Sequence, residues 1–526
     1  MTEGRDGIWL APTTAPGLMG VARRLSVVAA MLAIAAFVAG TAGSGYAGSG
    51  TTNPATVSNF GGVFEGSLET FPAGSGHHSK PAFRVKGTNS LLSIGPYGDA
   101  VSSVDGRIAV SLPFDFVGLS AANPILGAAA PKIGCGPFGF PLTGPLFGTG
   151  LVGLFSPTAS GNSGPEAIIC SPGFSIGIDG ANLLGIPGLF PNTSGVFIPQ
   201  GVAFESPFDG VRPAGHEILA VANSFPEVFA PDAGQGGCAA APFATLGTIT
   251  EYDRRTLTSG LNNVPPLGIG SRPFTVSAIN PFPATGVPPV STCPSPPFPN
   301  NAGVCYTQNA TIGGCLSSLA GPRNLAFDDN GFLFVVNNAP ILTAVLAAVP
   351  RFITVYLPGA SGDAFPKAFI SLVSPAAPPP VNATAGILKN PIGIAVATLG
   401  FEDDLIYVTD TSDNSIKIFN VFVNPDGALG GAFTGELIAT IQGSSTKLKH
   451  PEGVALSADG NTLYVVNNLT NTLLMFSDIQ MIPTDPTGVA PPVNNIAPTV
   501  TISGNQADMN FPDGVAVFPQ FVQPTM

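Results

Sequence analysis

The sequence predicts an all-β fold, a single β-propeller of four-stranded blades, from three observations: a phrase that recurs, the strand pattern inside each copy, and a turn-rich yet apolar composition. The phrase runs Pro-x-Gly-aliphatic, an acidic turn, an aliphatic or aromatic strand ending in Asn or Asp, then a further short strand. Its cleanest copies are HPEGVALSADGNTLYVVNNLTNTLLMF (His450 to Phe476) and NPIGIAVATLGFEDDLIYVTDTSDNSIKIF (Asn390 to Phe419). Self-similarity of this kind marks a repeat architecture before any single residue is weighed. Only 10% of the 526 residues are charged and 44% are hydrophobic, while 66 Gly and 54 Pro punctuate the chain. Short buried strands joined by many tight turns satisfy all three figures.

From the N-terminus, Arg23 and Arg24 precede an apolar run from Leu25 to Gly40 and small residues through Ala47. Basic, apolar and small segments in that order describe a secretory signal over residues 1–47, too short in its apolar part for a membrane span. The expected location is therefore outside the cytoplasm: periplasmic, cell-surface or extracellular. The six cysteines, Cys135, Cys170, Cys238, Cys293, Cys305 and Cys315, are an even set in an exported chain and read as disulfide partners. A net charge of −13 with no cationic stripe argues against nucleic acid as a partner. Residues 48–160 read as a segment lending strands to the closing blade, and residues 161–526 as the propeller, with a Pro-rich insertion over 260–320.

Aligned by their prolines, the copies fall at Pro199 (PQGVAF), Pro322 (PRNLAF), Pro391 (PIGIAV), Pro451 (PEGVAL) and Pro512 (PDGVAV), spaced 123, 69, 60 and 61 residues apart. The first step is close to twice 60, so one degenerate copy is expected between Pro199 and Pro322, with Pro266 as its candidate. Six blades are expected, with seven as the alternative. Within a copy, Gly453 to Leu456, Leu463 to Val466 and Leu473 to Phe476 read as successive antiparallel strands, and APTVTISG (Ala497 to Gly504) supplies a fourth. The last copy has only its first strand. A strand from Val57 to Val110 is expected to pair with Val515 to Phe518 and so remove the exposed sheet edges.

These residues resemble the NHL-repeat family of β-propellers and its relatives among exported lyases and lactonases, through P-x-G-[VI]-A, the acidic turn, the [LI]-Y-V-x-[ND] strand and the final [LI]-x-x-F strand. The resemblance implies that the loop before the first strand and the loop after the second open on one face around a central channel. It thereby implies a binding face of Gln200, Asn223, Arg323, Asn337, Glu452, Asn467 and Asp513. Carboxylates among amides suit a hard cation, Ca²⁺ or Mg²⁺, with Glu452, Asp513 and Asp410 as its ligands. His450, next to Glu452, is the candidate general base. Against these stands the common structural use of Asn and Asp after a strand, where the side chain caps a turn.

No His-Glu-x-x-His, Gly-x-Ser-x-Gly or phosphate-cradling Gly loop with Lys occurs. The expectation is an exported scaffold that binds protein or glycan without catalysis and without a membrane span once the signal is removed. The alternatives are a metal-dependent lyase or lactonase acting on a small molecule, and a structural protein of the cell surface.

Overall fold

The computed structural model describes most of residues 53–113, 150–169, 199–205, 217–223, 248–262, 321–338, 351–371, 387–422 and 435–519, with residues 196, 311–312 and 319. The chain builds six antiparallel blades. Blade 1 opens with β1 (Ala55–Asn59), β2 (Ser67–Phe71) and β3 (Phe83–Lys86), and blade 2 holds β4 (Asp99–Val101), β5 (Ile108–Leu112), β6 (Leu151–Phe155) and β7 (Ala167–Ile169). Blade 3 starts with β8 (Pro199–Glu205), β9 (Ile218–Asn223) and β10 (Thr248–Asp253); β11 (Gly260–Asn262) then lies parallel on the outer edge of β7, and β12 (Thr311–Ile312) completes blade 3. Blade 4 is β13 (Pro322–Phe327), β14 (Leu333–Asn337), β15 (Phe352–Tyr356) and β16 (Ala368–Ile370). Blade 5 is β17 (Pro391–Thr398), β18 (Asp403–Asp410), β19 (Ser415–Phe422) and β20 (Gly435–Ile441). Blade 6 comprises β21 (Pro451–Leu456), β22 (Thr462–Asn467), β23 (Thr472–Ser477) and, beyond the short β24 (Val493–Asn494) that flanks β20, β25 (Val500–Ile502).

The last strand, β26 (Pro512–Val517), becomes the innermost strand of blade 1, pairing with β1 so that Val57 faces Val515 and Ala55 faces Val517. Asn53 Nδ2 donates to the Phe518 carbonyl at 3.0 Å and ties the two ends further. Each inner strand packs against the inner strands of both neighbouring blades, from β4 through β8, β13, β17 and β21 to β26 and back to β4. The cores follow the same closure. Six clusters of buried side chains lie one at each blade junction, such as Tyr407, Ile418 and Leu463 between blades 5 and 6, or Val57, Phe71 and Val466 between blades 6 and 1. Six junctions and six cores fix the blade number at six.

Two features of the count differ from the sequence expectation. The long step from Pro199 to Pro322 is one blade, β8, β9, β10 and β12; the candidate copy at Pro266 lies outside the described residues. The sixth blade is instead blade 2, whose first three strands lie ahead of residue 161 and whose inner strand grows from PYGDAV (Pro96 to Val101). That segment repeats Pro-x-Gly-x-Ala but puts Asp99 where the other clear copies carry an aliphatic residue. Asp99 is 8% exposed; burial holds its carboxyl well above the usual range, and it accepts from the Ser58 hydroxyl at 3.3 Å.

The phrase itself has a mechanical origin. In blades 3, 4, 5 and 6 the pairing between first and second strands slips immediately after the proline, between Pro199 and Val202, Pro322 and Asn324, Pro391 and Ile394, and Pro451 and Val454. Proline has no N–H to give the ladder, and the bulge that results re-aims the residue after it. The glycine answers a second demand. A Cβ on Gly453 would lie 2.7 Å from the Asp513 carbonyl oxygen, and one on Gly393 would press on the Glu452 carbonyl, so neighbouring inner strands meet only because these positions lack one.

Candidate functional site

The variable letters, Tyr97, Gln200, Arg323, Ile392, Glu452 and Asp513, hold the same position in the phrase of all six blades, around one end of the channel, and in blades 1, 3, 4, 5 and 6 the register slips beside them. Their side chains engage one another across blade boundaries. Arg323 Nη1 donates to Gln200 Oε1 at 2.7 Å, and its guanidinium carbon lies 5.6 Å from the centre of the Tyr97 ring. Blades 2, 3 and 4 therefore present an aromatic, an amide and a cation as one unit.

Blades 6 and 1 present the opposite character. Asp513 is 8% exposed; burial, and after it the Glu452 carboxylate alongside, hold its carboxyl well above the ordinary range. The two carboxyl groups also meet in a side-chain hydrogen bond. Asn468 Nδ2 donates to Asp513 Oδ1 at 2.8 Å and fixes its orientation. His450 Nδ1 lies 3.1 Å from Glu452 Oε1, and its contact with that carboxylate raises the imidazole above its ordinary value. The backbone there is left-handed, φ 54°, and His450 N donates to Asn414 Oδ1 at 2.6 Å. Tyr97 completes the circuit: burial raises its hydroxyl, Arg323 opposes the shift, and Asp513 and Glu452 add to it.

Of the residues read from the sequence, Gln200, Arg323, Glu452 and Asp513 meet in this ring, with His450 at its rim. Asn223, Asn337 and Asn467 do not; each is at most 1% exposed and turned into its own blade. Their Nδ2 atoms donate to the hydroxyls of Thr250, Thr354 and Thr472 at 3.1, 3.0 and 3.1 Å, so they lock the second strand to the third. Asn467 also accepts from the Lys449 amide at 3.0 Å, the capping role that Asn takes after a strand.

Asp410 holds the same position in blade 5. Its carboxylate accepts from Lys417 Nζ at 2.6 Å, the Lys389 amide at 2.7 Å and the Asn390 amide at 3.0 Å, and so stays apart from Glu452 and Asp513. The three do not fit a shared Ca²⁺ or Mg²⁺. No group of three or more His, Cys, Asp or Glu able to hold a metal ion occurs among the described residues.

His77 and His78 are exposed, their rings 3.8 Å apart. His216 and the six cysteines lie outside the described residues, as does the segment read as a signal. Among the described residues no helix is long and apolar enough to cross a membrane. The ring residue that the sequence reading missed is Tyr97. Its signal was present in PYGDAV, hidden by the acid at Asp99.

Solved structures with a matching fold include the nidogen/laminin complex (TM-score 0.36, 9% identity, covering 88% of this chain and 98% of that one). They also include the periplasmic gluconolactonase of Pseudomonas aeruginosa (TM-score 0.35, 13% identity, 88% and 98% covered) and a putative 6-phosphogluconolactonase of Bacteroides fragilis (TM-score 0.34, 11% identity, 89% and 99% covered). No protein-family model matches the chain, and no curated protein matches it. The NHL resemblance thus extends no further than the class of fold. The protein is a six-bladed β-propeller.

Proposed function

We propose that this propeller is an exported binding module that recognises a polar ligand, a glycan or a polar peptide segment, at the end of its channel bearing the Pro-x-Gly letters. The observation that carries this reading is the ring itself. The invariant letters of the phrase build the disc, whereas the letters free to vary gather a cation, an aromatic face, an amide and an acid pair within one another's reach. Recognition of polar molecules calls for convergent groups of mixed character on a rigid frame.

Screening the purified chain against glycan and peptide arrays tests the proposal. Hits that Arg323→Ala and Glu452→Gln both abolish are expected; hits that survive both substitutions would place recognition elsewhere.

One observation favours a second reading, a hydrolytic or eliminating enzyme. His450 and Glu452 form an acid/base pair at 3.1 Å beside the ring. Turnover of a lactone panel that is lost in His450→Gln would support it, and turnover unchanged in that variant would remove it.

A further inference from the structure

A second polar site lies away from the channel, where blade 6 meets blade 1, in a cleft of about 520 Å³. That volume falls within the range of about 300–1,000 Å³ usual for small-molecule sites. Ser67 opens β2, Arg84 and Lys86 lie on β3, Thr470 stands in the turn between β22 and β23, and Asn505 and Asp508 belong to the loop before β26. The cleft therefore exists only because the chain's first and last strands share a blade.

Its charge runs against that of the whole molecule. Arg84 pairs with Asp508 through Nη1, and its Nε lies 3.3 Å from Oε1 of the fully buried Glu69. Burial pushes Glu69 up to about 8, the Ser67 hydroxyl and Arg84 offsetting this only in part. Among the residues lining the cleft Asp508 is the one acid against two cations, Arg84 and Lys86, and Lys86 is exposed with no ion pair among the described residues. A cationic pocket in a chain of net charge −13 selects anions locally. Beside the cations stand neutral hydrogen-bonding groups: the hydroxyls of Ser67 and Thr470 and the exposed amide of Asn505. A bare inorganic anion would use the cations and leave these groups and most of the volume unfilled. A ring carrying one carboxylate and several hydroxyls would use both.

We propose that this cleft binds an acidic saccharide of one or two sugar units, its carboxylate held by Arg84 and Lys86 and its hydroxyls by Ser67, Thr470 and Asn505. The site shares no residue with the channel ring and stands or falls independently of it.

Isothermal titration of the full chain against digalacturonate, diglucuronate and dimannuronate, their carboxyl-reduced counterparts and inorganic phosphate tests the assignment. Arg84→Ala would strip Glu69 of its neighbour and disturb the fold, so the variants are Lys86→Ala and Asn505→Ala, both at exposed positions. At least one uronate should bind, with the reduced sugar and Lys86→Ala each weaker by about tenfold or more, as loss of a charged hydrogen bond requires. Asn505→Ala should weaken binding too, and Arg323→Ala in the channel should leave it unchanged. Failure of all three uronates, binding of phosphate alone, indifference to both cleft variants, or loss on Arg323→Ala would each overturn the proposal.

Discussion

Gly453→Ala should loosen the centre of the propeller, because the added methyl has nowhere to go. Its Cβ would lie 2.7 Å from the Asp513 carbonyl oxygen, 2.9 Å from the Val515 nitrogen and 3.0 Å from the Gly514 carbonyl carbon. All three are backbone atoms of the next inner strand, so no rotamer change relieves the clash; the strands must part. Forcing extra volume into a packed interior costs about 1–3 kcal/mol, and the stiffer unfolded chain returns about 0.4–1 kcal/mol of that. A net loss of about 1 kcal/mol follows. At roughly 2 cal/mol/K per residue, a chain of this length unfolds with an entropy near 1 kcal/mol/K, so scanning calorimetry should record a melting point about 1 °C lower. Gly76→Ala is the control, since nothing lies within 4 Å of its Cβ and its backbone is not left-handed. Equal melting points for Gly453→Ala and Gly76→Ala would refute the close-approach account of Pro-x-Gly.

Glu69 supplies a pH signature. Its folded value of about 8 lies above the ordinary carboxyl value of 4.5, so between these the folded state holds a proton that the unfolded state has lost. Its contribution is intact below about pH 4.5 and declines as pH rises towards about 8. Glu69→Gln should flatten that decline when urea midpoints at about pH 5 and pH 9 are compared with wild type; parallel pH curves would count against it. Deleting residues 510–526 removes β26, opens the edge of β1 and withdraws Val515 and Phe518 from the cores they fill. Loss of cooperative folding is expected by circular dichroism and sizing, and a stable monomeric truncation would contradict it.

Much of this fold was legible because its rules are local. Continuous apolar runs such as Leu463 to Val466 became buried strands, and proline and glycine marked each blade's entry. Blade 2 escaped notice because Asp99 breaks the apolar pattern, and its compensation is a tertiary one, burial against Ser58 forty-one residues away. The site was legible by position but not by role. Nothing near Asn337 in the chain distinguishes it from a ligand-facing amide; its partner Thr354 waits on the neighbouring strand and turns it inward. Asp410 likewise carries a carboxylate suited to a cation, but Lys417 and two backbone amides already occupy it. The pairing of Arg323 with Gln200 spans 123 residues of sequence and depends on the packing of β8 against β13, which no local pattern encodes.

That pairing allows the most direct test of the claim that the variable letters meet as one surface. Gln200→Ala, Arg323→Ala and the double variant form a thermodynamic cycle, read as urea midpoints at constant slope. The 2.7 Å bond between blades 3 and 4 should appear as a coupling of about 0.5–1.5 kcal/mol, the single substitutions costing more together than the double one. Strictly additive losses, with no coupling beyond error, would mean that the two letters do not touch and that the ring at the channel end is not formed.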